Sequence, residues 1–231
     1  PQPVKKEITL LWSLAGEMQS YDTDSALILG YRSMRMARNI NYEEGLSKSL
    51  GIVANVYSRM GNYPKAMELY LEKLKLEESG KNPRNLASVL LNIGIVYSFQ
   101  QDYSEALGYY KKADNIISAN KIKEMVHYVN INLGDIYEKL KKIDSAQYYY
   151  NLTYQNAIQT QNIHNEALAY IGLGNVYSKI GQEYLAIQNY NKAIPILNQE
   201  KNFELLSETY LGLAKVHNLF GNEKEEILNA G

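Results

Sequence analysis

The amino-acid sequence predicts an all-α solenoid built from antiparallel helix hairpins. The first observation is a five-residue phrase that returns every 40 residues, as in Val53–Tyr57, Ile93–Tyr97 and Leu173–Tyr177. The second is an alanine column with the same step, which comprises Ala26, Ala66, Ala106, Ala146 and Ala186. A fixed internal period of this size indicates a stack of equivalent supersecondary units. We therefore expect a surface that holds a partner rather than a pocket that transforms a substrate.

Each period divides into two helices. Leu90, Ile93 and Tyr97 are spaced at i, i+3 and i+7, which places them on one face of a first helix. A short polar turn follows, in which Asp102 is suited to cap the second helix. Pro64 falls near the first helical position of an equivalent segment, where its missing N–H is tolerated. No period-2 alternation bounded by turn residues is present, so we expect no β-strands.

Two further columns give the packing of each hairpin. Gly or Ala occupies positions 54, 94, 134, 174 and 214, which lets the two helices of a hairpin approach closely. Tyrosines on the second helix then fill the wider gaps between hairpins, at Tyr70, Tyr110, Tyr150 and Tyr190.

These columns resemble the tetratricopeptide repeat, whose pattern is W-x₂-L-G-x₂-Y…A-x₃-F. In the best copy, Leu173, Gly174, Tyr177 and Ala186 match, while Tyr170 and Tyr190 replace the Trp and the Phe. The resemblance implies a right-handed superhelix of about twelve helices, whose first helices line a concave groove. The 40-residue unit is longer than the usual ~34. Long repeats of this kind are similar to those of kinesin light chains and of bacterial sensor and regulator proteins.

We expect residues 1–231 to form a single array. An atypical capping helix covers residues 1–21, and full repeats cover about 7–46, 47–86, 87–126, 127–166 and 167–206. A partial repeat at 207–231 is expected to be cut within its second helix, since Glu226 stands in the alanine column and the sequence given stops at Gly231. Pro195 lies within a second helix and predicts a kink or an early end there.

The composition excludes several classes of protein. Of the 231 residues, 45% are hydrophobic and 21% charged, with a net charge of −1, so neither disorder nor direct nucleic-acid binding is indicated. Cysteine is absent, which excludes disulfides and thiolate metal sites. Neither a signal peptide nor a long apolar run is present. We expect a soluble segment without membrane contact, either complete or excised from a larger protein, in the cytoplasm or the periplasm.

No constellation of residues points to catalysis or to a metal. His127 and His164 are expected to be neighbours on one rim, but no further ligand accompanies them. The carboxylates are scattered over solvated helix faces, and no hydrolase, phosphate-loop or dinucleotide motif occurs. We therefore predict a chain without enzymatic activity, metal or cofactor.

The remaining candidate is the groove face of the first helices. Four asparagines, Asn55, Asn92, Asn132 and Asn175, lie on this face in four consecutive repeats. An amide offers a donor and an acceptor, and can therefore pair with the backbone of an extended peptide. The predicted binding residues are Asn55, Arg59, Asn92, Ile95, Phe99, Tyr128, Asn132, Asp135, Lys139, Asn175 and Lys179.

The leading interpretation is a module that binds a protein or an extended peptide, as the sensor or scaffold region of a larger signalling protein. The alternative is a structural segment for oligomerisation or spacing, whose faces contact neighbouring copies of the chain. An enzyme with an unrecognised site is a third class. The basic groove residues are spread over four repeats and interleaved with acidic ones, which argues against a clamp for an acidic C-terminus.

Overall fold

The structure, a computed structural model, describes residues 2–80 and 82–229, with side chains up to residue 218. All regular structure in these residues is helical, as predicted. The helices are α1 (Gln2–Met18), α2 (Thr23–Asn39), α3 (Glu43–Arg59), α4 (Tyr63–Ser79), α5 (Pro83–Phe99), α6 (Tyr103–Ala119), α7 (Val126–Lys139), α8 (Ile143–Thr160), α9 (Ile163–Lys179), α10 (Glu183–Glu200) and α11 (Phe203–Asn229). A 3₁₀ turn at Lys123–Met125 precedes α7.

Consecutive helices pair as hairpins, and the hairpins fall into two compact units. Unit 1 spans residues 1–122 and contains the hairpins α1/α2, α3/α4 and α5/α6. Unit 2 spans residues 123–231 and contains α7/α8 and α9/α10, followed by α11. First helices begin at Glu43, Pro83, Ile163 and Phe203, at multiples of 40 residues from one another, while α7 begins at Val126, three residues later than this step.

The turn residues end and restart the helices as the sequence predicts. The side chains of Asn62 and Asp102 cap α4 and α6 by accepting the backbone N–H groups of Lys65 and Glu105. Gly61 has a φ of +75°, in the left-handed region that glycine adopts without steric cost. Pro64 occupies the first turn of α4. Each hairpin is therefore defined locally, before any packing between hairpins is considered.

The tyrosines of the second helices pack against glycine on the first helices. A Cβ placed on Gly134 would lie 2.7 Å from the Tyr150 ring, so only glycine leaves room for that ring within the hairpin. A Cβ placed on Gly172, in the following hairpin, would meet the same ring. Tyr190 is enclosed in the same way by Gly174 and Gly212. These rings therefore fill space both within a hairpin and between hairpins, whereas the sequence placed them only between hairpins.

Two expectations about the C-terminal hairpins need correction. Helix α10 does not end early at Pro195 but continues to Glu200, since Ala193 and Leu197 anchor it in the core on both sides of the proline. Helix α11 continues to Asn229, so the last repeat is one long helix instead of a hairpin. Extending a helix adds a hydrogen bond per residue without the cost of a new nucleus. The described residues thus contain eleven helices, against about twelve expected; the side chain of Glu226 and Gly231 lie outside the described part.

Among the described residues, no helix combines the length and the hydropathy that crossing a bilayer requires.

Candidate functional site

The predicted binding residues lie on one layer of helices in each unit. In unit 1, α3 contacts both α1 and α5 directly, and in unit 2, α9 contacts both α7 and α11. We call α1, α3 and α5 the first-helix layer of unit 1, and α7, α9 and α11 that of unit 2. The predicted residues occupy α3, α5, α7 and α9.

In unit 1, two of the predicted asparagines lie side by side. Oδ1 of Asn55 accepts a hydrogen bond from the Tyr70 hydroxyl at 2.5 Å and a second from Nδ2 of Asn92 at 3.4 Å. Both asparagines are half-buried. Within the part of the chain whose side chains are described, Nδ2 of Asn55 and Oδ1 of Asn92 have no hydrogen-bond partner. The pair therefore offers one free donor and one free acceptor on adjacent side chains.

Among the side chains that the structure describes, no hydrogen bond joins the other predicted residues of unit 1 to this pair. Phe99 is 58% exposed and stacks on Tyr63, with the ring centroids 5.8 Å apart. Ile95 is half-buried and Arg59 is exposed. Phe99 and Tyr63 form an aromatic platform at the C-terminal end of α5.

In unit 2, a tyrosine hydroxyl joins two carboxylates. Oη of Tyr150 lies 2.7 Å from Oδ1 of Asp135 and 2.9 Å from Oε2 of Glu138. Oε1 of Glu138 forms an ion pair with Nζ of Lys179 at 2.8 Å. Two predicted residues, Asp135 and Lys179, thus belong to one network, but Lys179 is already paired with protein.

The carboxyl group of Asp135 has an altered acidity. Protein atoms crowd it, and the resulting desolvation raises its pKa to about 6. The hydrogen bond from Tyr150 opposes this shift, while the negative charges of Glu138 and Glu208 add to it. The residue is nevertheless exposed to water, which screens part of these interactions.

The remaining predicted residues of unit 2 lie on α7 and α9. Oδ1 of Asn175 accepts the Tyr190 hydroxyl at 2.6 Å, and Nδ2 of Asn132 donates to the backbone oxygen of Tyr128, one turn earlier, at 2.7 Å. Tyr128 and Lys139 are exposed. As in unit 1, one amide nitrogen and one amide oxygen, Nδ2 of Asn175 and Oδ1 of Asn132, have no partner among the described side chains.

The sequence reasoning missed the role of the buried tyrosines. They were assigned to the core, and the rings of Tyr70, Tyr150 and Tyr190 are indeed buried. Their hydroxyls, however, reach the first-helix layer and fix Asn55, Asp135 and Asn175. Burial raises the pKa of Tyr190 to about 12, so the phenol remains a hydrogen-bond donor at physiological pH. In each pair the tyrosine follows its polar partner by fifteen residues. This constant separation is the feature of the sequence that could have indicated the hydrogen bonds.

Glu138 is a second residue that the sequence reasoning missed. Its side chain is almost buried, and it contacts both Tyr150 and Lys179. Serine stands at the equivalent positions of three other repeats, Ser58, Ser98 and Ser178. This departure from the repeat marks α7 as chemically different from the other first helices.

One buried cluster that contains none of the predicted binding residues has a composition that is also found at catalytic sites. In unit 1, Nζ of Lys73 donates to Oγ of Ser47 at 2.6 Å, and Glu77 contacts both side chains. Burial lowers the pKa of Lys73, while the charge of Glu77 opposes that change. All three side chains bond to one another and are almost fully enclosed. The cluster joins α3 to α4 and has the geometry of a structural anchor.

The two predicted histidine neighbours are close enough to interact. Burial and the charge of His164 lower the pKa of His127. Nδ1 of His164 contacts Oε2 of Glu200 at 2.8 Å. The described residues contain no group of three or more His, Cys, Asp or Glu that could hold a metal ion.

Solved structures of the same fold come from several functional contexts. BtubC (BKLC) from P. vanneervenii is 21% identical, with a TM-score of 0.73 over 87% of this chain and 85% of that one. A signal transduction ATPase (STAND protein) from Pyrococcus horikoshii, which has a tetratricopeptide repeat sensor, is 20% identical, with a TM-score of 0.75; the match covers 93% of this chain but 33% of that one. A Rap protein complexed with competence and sporulation factor is 16% identical, with a TM-score of 0.69 over 95% of this chain and 66% of that one. At these identities the likeness establishes the fold alone.

Among proteins of curated function, no sequence matches this chain. The sequence profile of the tetratricopeptide repeat, in contrast, matches residues 45–116 and 126–199. These two segments include the hairpins α3/α4, α5/α6, α7/α8 and α9/α10 almost in full, and together they make up more than half of the chain. The chain therefore belongs to the tetratricopeptide repeat family, whose modules bind proteins and peptides.

Proposed function

We propose that this chain binds extended peptide segments of a partner protein along the first-helix layer of each unit, without catalysing a reaction, and that it is the sensor or scaffold region of a larger signalling protein. The observation that carries the proposal is the pair Asn55 and Asn92. Their free Nδ2 and Oδ1 atoms match the C=O and N–H groups that one residue of an extended chain presents on the same edge.

The tyrosine hydroxyls support this assignment because they orient the amides. The Tyr70 hydroxyl occupies Oδ1 of Asn55, which leaves Nδ2 directed to a ligand. The Tyr190 hydroxyl does the same for Asn175 in unit 2. A donor whose orientation is already fixed loses little side-chain entropy when a ligand binds, so these contacts favour affinity.

The apolar and aromatic side chains near the amides are suited to hold side chains of such a peptide. Ile95 is half-buried one turn from Asn92, and Phe99 is an exposed ring supported by Tyr63. Many peptide-binding proteins hydrogen-bond to the ligand backbone and hold its side chains in apolar pockets. The amides and the apolar residues described here are suited to these two tasks.

Proteins of the same fold support the wider role. The STAND protein has its tetratricopeptide repeats as a sensor, and the Rap protein was solved with competence and sporulation factor bound. Because this chain spans only a third of the STAND protein, a sensor region within a longer protein is consistent with its size.

The proposal is tested by selecting peptides from a random heptapeptide library on the wild-type protein. The affinity of the best peptide is then measured calorimetrically for Asn55→Ala and Asn92→Ala. We expect each variant to lose about 0.5–1.5 kcal/mol of binding free energy, the net value of one hydrogen bond. Asn115→Ala is the matched control, because Asn115 is an exposed asparagine on α6. It should leave the affinity unchanged.

A scan of N-methylated peptides identifies the contact to the ligand backbone. Methylating the amide that donates to Oδ1 of Asn92 should weaken binding to the wild type but not to Asn92→Ala. Additive effects of methylation and mutation at every position would contradict backbone recognition. So would a selection whose peptides bind equally well to the Asn55→Ala/Asn92→Ala double variant.

A further inference from the structure

The hydroxyl of Tyr150 contacts two carboxyl groups but has only one hydrogen to donate. A second proton is therefore needed for both contacts to be hydrogen bonds. The phenol has a single hydrogen, yet its Oη lies within 2.9 Å of carboxylate oxygens on both Asp135 and Glu138. If both carboxylates were ionised, one of them would face the oxygen lone pairs of Tyr150 without a hydrogen between them. The geometry is satisfied when one carboxyl group is protonated and donates to Oη, while Tyr150 donates to the other.

The charged groups around the network decide which carboxyl group holds the proton. Glu138 is paired with the Lys179 ammonium of α9 at 2.8 Å and therefore accepts from Tyr150 as a carboxylate. Among the described side chains, none forms an ion pair with Asp135; Lys139 on its own helix acts on it only through space. Glu138 on α7 and Glu208 on α11 both oppose a negative charge at Asp135. Asp135 is therefore the residue that takes up the proton.

The other hairpins show what a neutral group does at this position. Asn55 and Asn175 stand at the positions equivalent to Asp135, and each accepts the hydroxyl of the tyrosine fifteen residues later. A protonated Asp135 has nearly the same shape and charge as these asparagines, although it donates to the tyrosine oxygen instead of accepting from it. An ionised Asp135 adds a full negative charge to the first-helix layer.

We propose that Asp135, Tyr150 and Glu138 form a proton-operated switch on the first-helix layer of unit 2. In mildly acidic solution Asp135 holds a proton and presents a neutral, asparagine-like group. As the pH rises, the proton passes to water, Tyr150 is shared between two carboxylates, and the layer presents a negative charge. The raised pKa of Asp135, about 6, places this change close to neutrality. The switch goes beyond the proposed function, because it is a property of the surface without a bound peptide.

The experiment is a pH titration of the protein labelled with ¹³C at the aspartate carboxyl carbons, followed by NMR. The chain has six aspartates, and the signal of Asp135 is the one that Asp135→Asn removes. We expect this signal to titrate with a midpoint near 6. In Glu138→Ser, which restores the residue found in three other repeats, the midpoint should fall, because a like charge is lost while the desolvation of Asp135 remains.

As a matched control, an aspartate is introduced at the equivalent position of the next hairpin. Asn175→Asp creates a carboxyl group beside Tyr190 with Ser178 in place of a second carboxylate. Its signal should titrate at a lower pH than that of Asp135. Titration of Asp135 at the pH of an ordinary aspartate would overturn the proposal. A proton found on Glu138, or an unchanged midpoint in Glu138→Ser, would overturn it as well.

Discussion

The hydroxyl of Tyr150 lies 2.7 Å from Oδ1 of Asp135, a residue fifteen positions earlier on the facing helix of the same hairpin. The same separation joins Tyr70 to Asn55 and Tyr190 to Asn175. The buried tyrosine rings and these polar residues of the first helices are therefore linked by hydrogen bonds. Each tyrosine ring stabilises the core, while its hydroxyl orients a side chain at the proposed binding surface.

Tyr190→Phe tests this link. We expect a loss of about 0.5–1.5 kcal/mol in the free energy of unfolding, because one hydrogen bond to Asn175 disappears while the ring stays. The effect should be smaller in an Asn175→Ala background, and chemical denaturation of the four proteins gives the coupling energy. Tyr184→Phe is the control, since that side chain is 75% exposed. Equal losses in both backgrounds would show that the hydrogen bond is not formed.

Gly134→Ala tests the contact between glycine and the tyrosine ring. The added Cβ would lie 2.7 Å from the ring of Tyr150, so we expect overpacking to cost about 1–3 kcal/mol, with a lower midpoint of thermal unfolding. Gly108→Ala is the matched control, because nothing lies within 4 Å of its new Cβ. That change should stabilise α6 by about 0.5–1 kcal/mol. A neutral or stabilising Gly134→Ala would contradict the packing described above.

Asp135→Asn should make the protein more stable above neutral pH. The folded protein holds the Asp135 proton up to about pH 6, whereas an ordinary aspartate releases it near 3.8. Between these values the folded state binds more protons than the unfolded state, so the contribution of Asp135 to the free energy of unfolding falls as the pH rises. Asparagine removes this loss. Because water screens the exposed carboxyl group, we expect a gain of no more than about 1 kcal/mol.

The measurement is the difference in thermal midpoint between Asp135→Asn and the wild type from pH 4 to pH 8. This difference should be close to zero at pH 4, should grow up to about pH 6 and should level off above it. A difference that does not change with pH would be inconsistent with a titrating Asp135.

Removing only one member of the buried ion pair between Lys73 and Glu77 should destabilise the protein strongly. Lys73→Met leaves the carboxylate of Glu77 enclosed without its cation, at an expected cost of about 3–5 kcal/mol. Lys73→Met/Glu77→Leu, which removes both charges, should be more stable than the single variant. Arg38→Met breaks the exposed pair with Glu72 and should cost less than about 1 kcal/mol. Urea denaturation distinguishes the three variants, and equal losses for the buried and the exposed pair would contradict this assignment.

Much of the fold could be predicted because its determinants are local. The caps at Asn62 and Asp102, the left-handed glycine at Gly61 and the spacing of apolar residues each act within one or two helical turns. Repetition then multiplies these local signals, so the step of 40 residues was visible without any coordinates. The early helix end considered at Pro195 does not occur, because buried neighbours on both sides outweigh its local effect.

The helical period was enough to predict which residues share one side of each first helix. The partners of these residues became visible only once the helices were packed together. Lys179 is occupied by Glu138, which lies 41 residues away on another helix, and Oδ1 of Asn55 is occupied by Tyr70. Hydrogen bonds and ion pairs depend on distances of about 3 Å between atoms that the packing of separate helices brings together. A repeat pattern gives the face of a residue, but it contains no information on such distances.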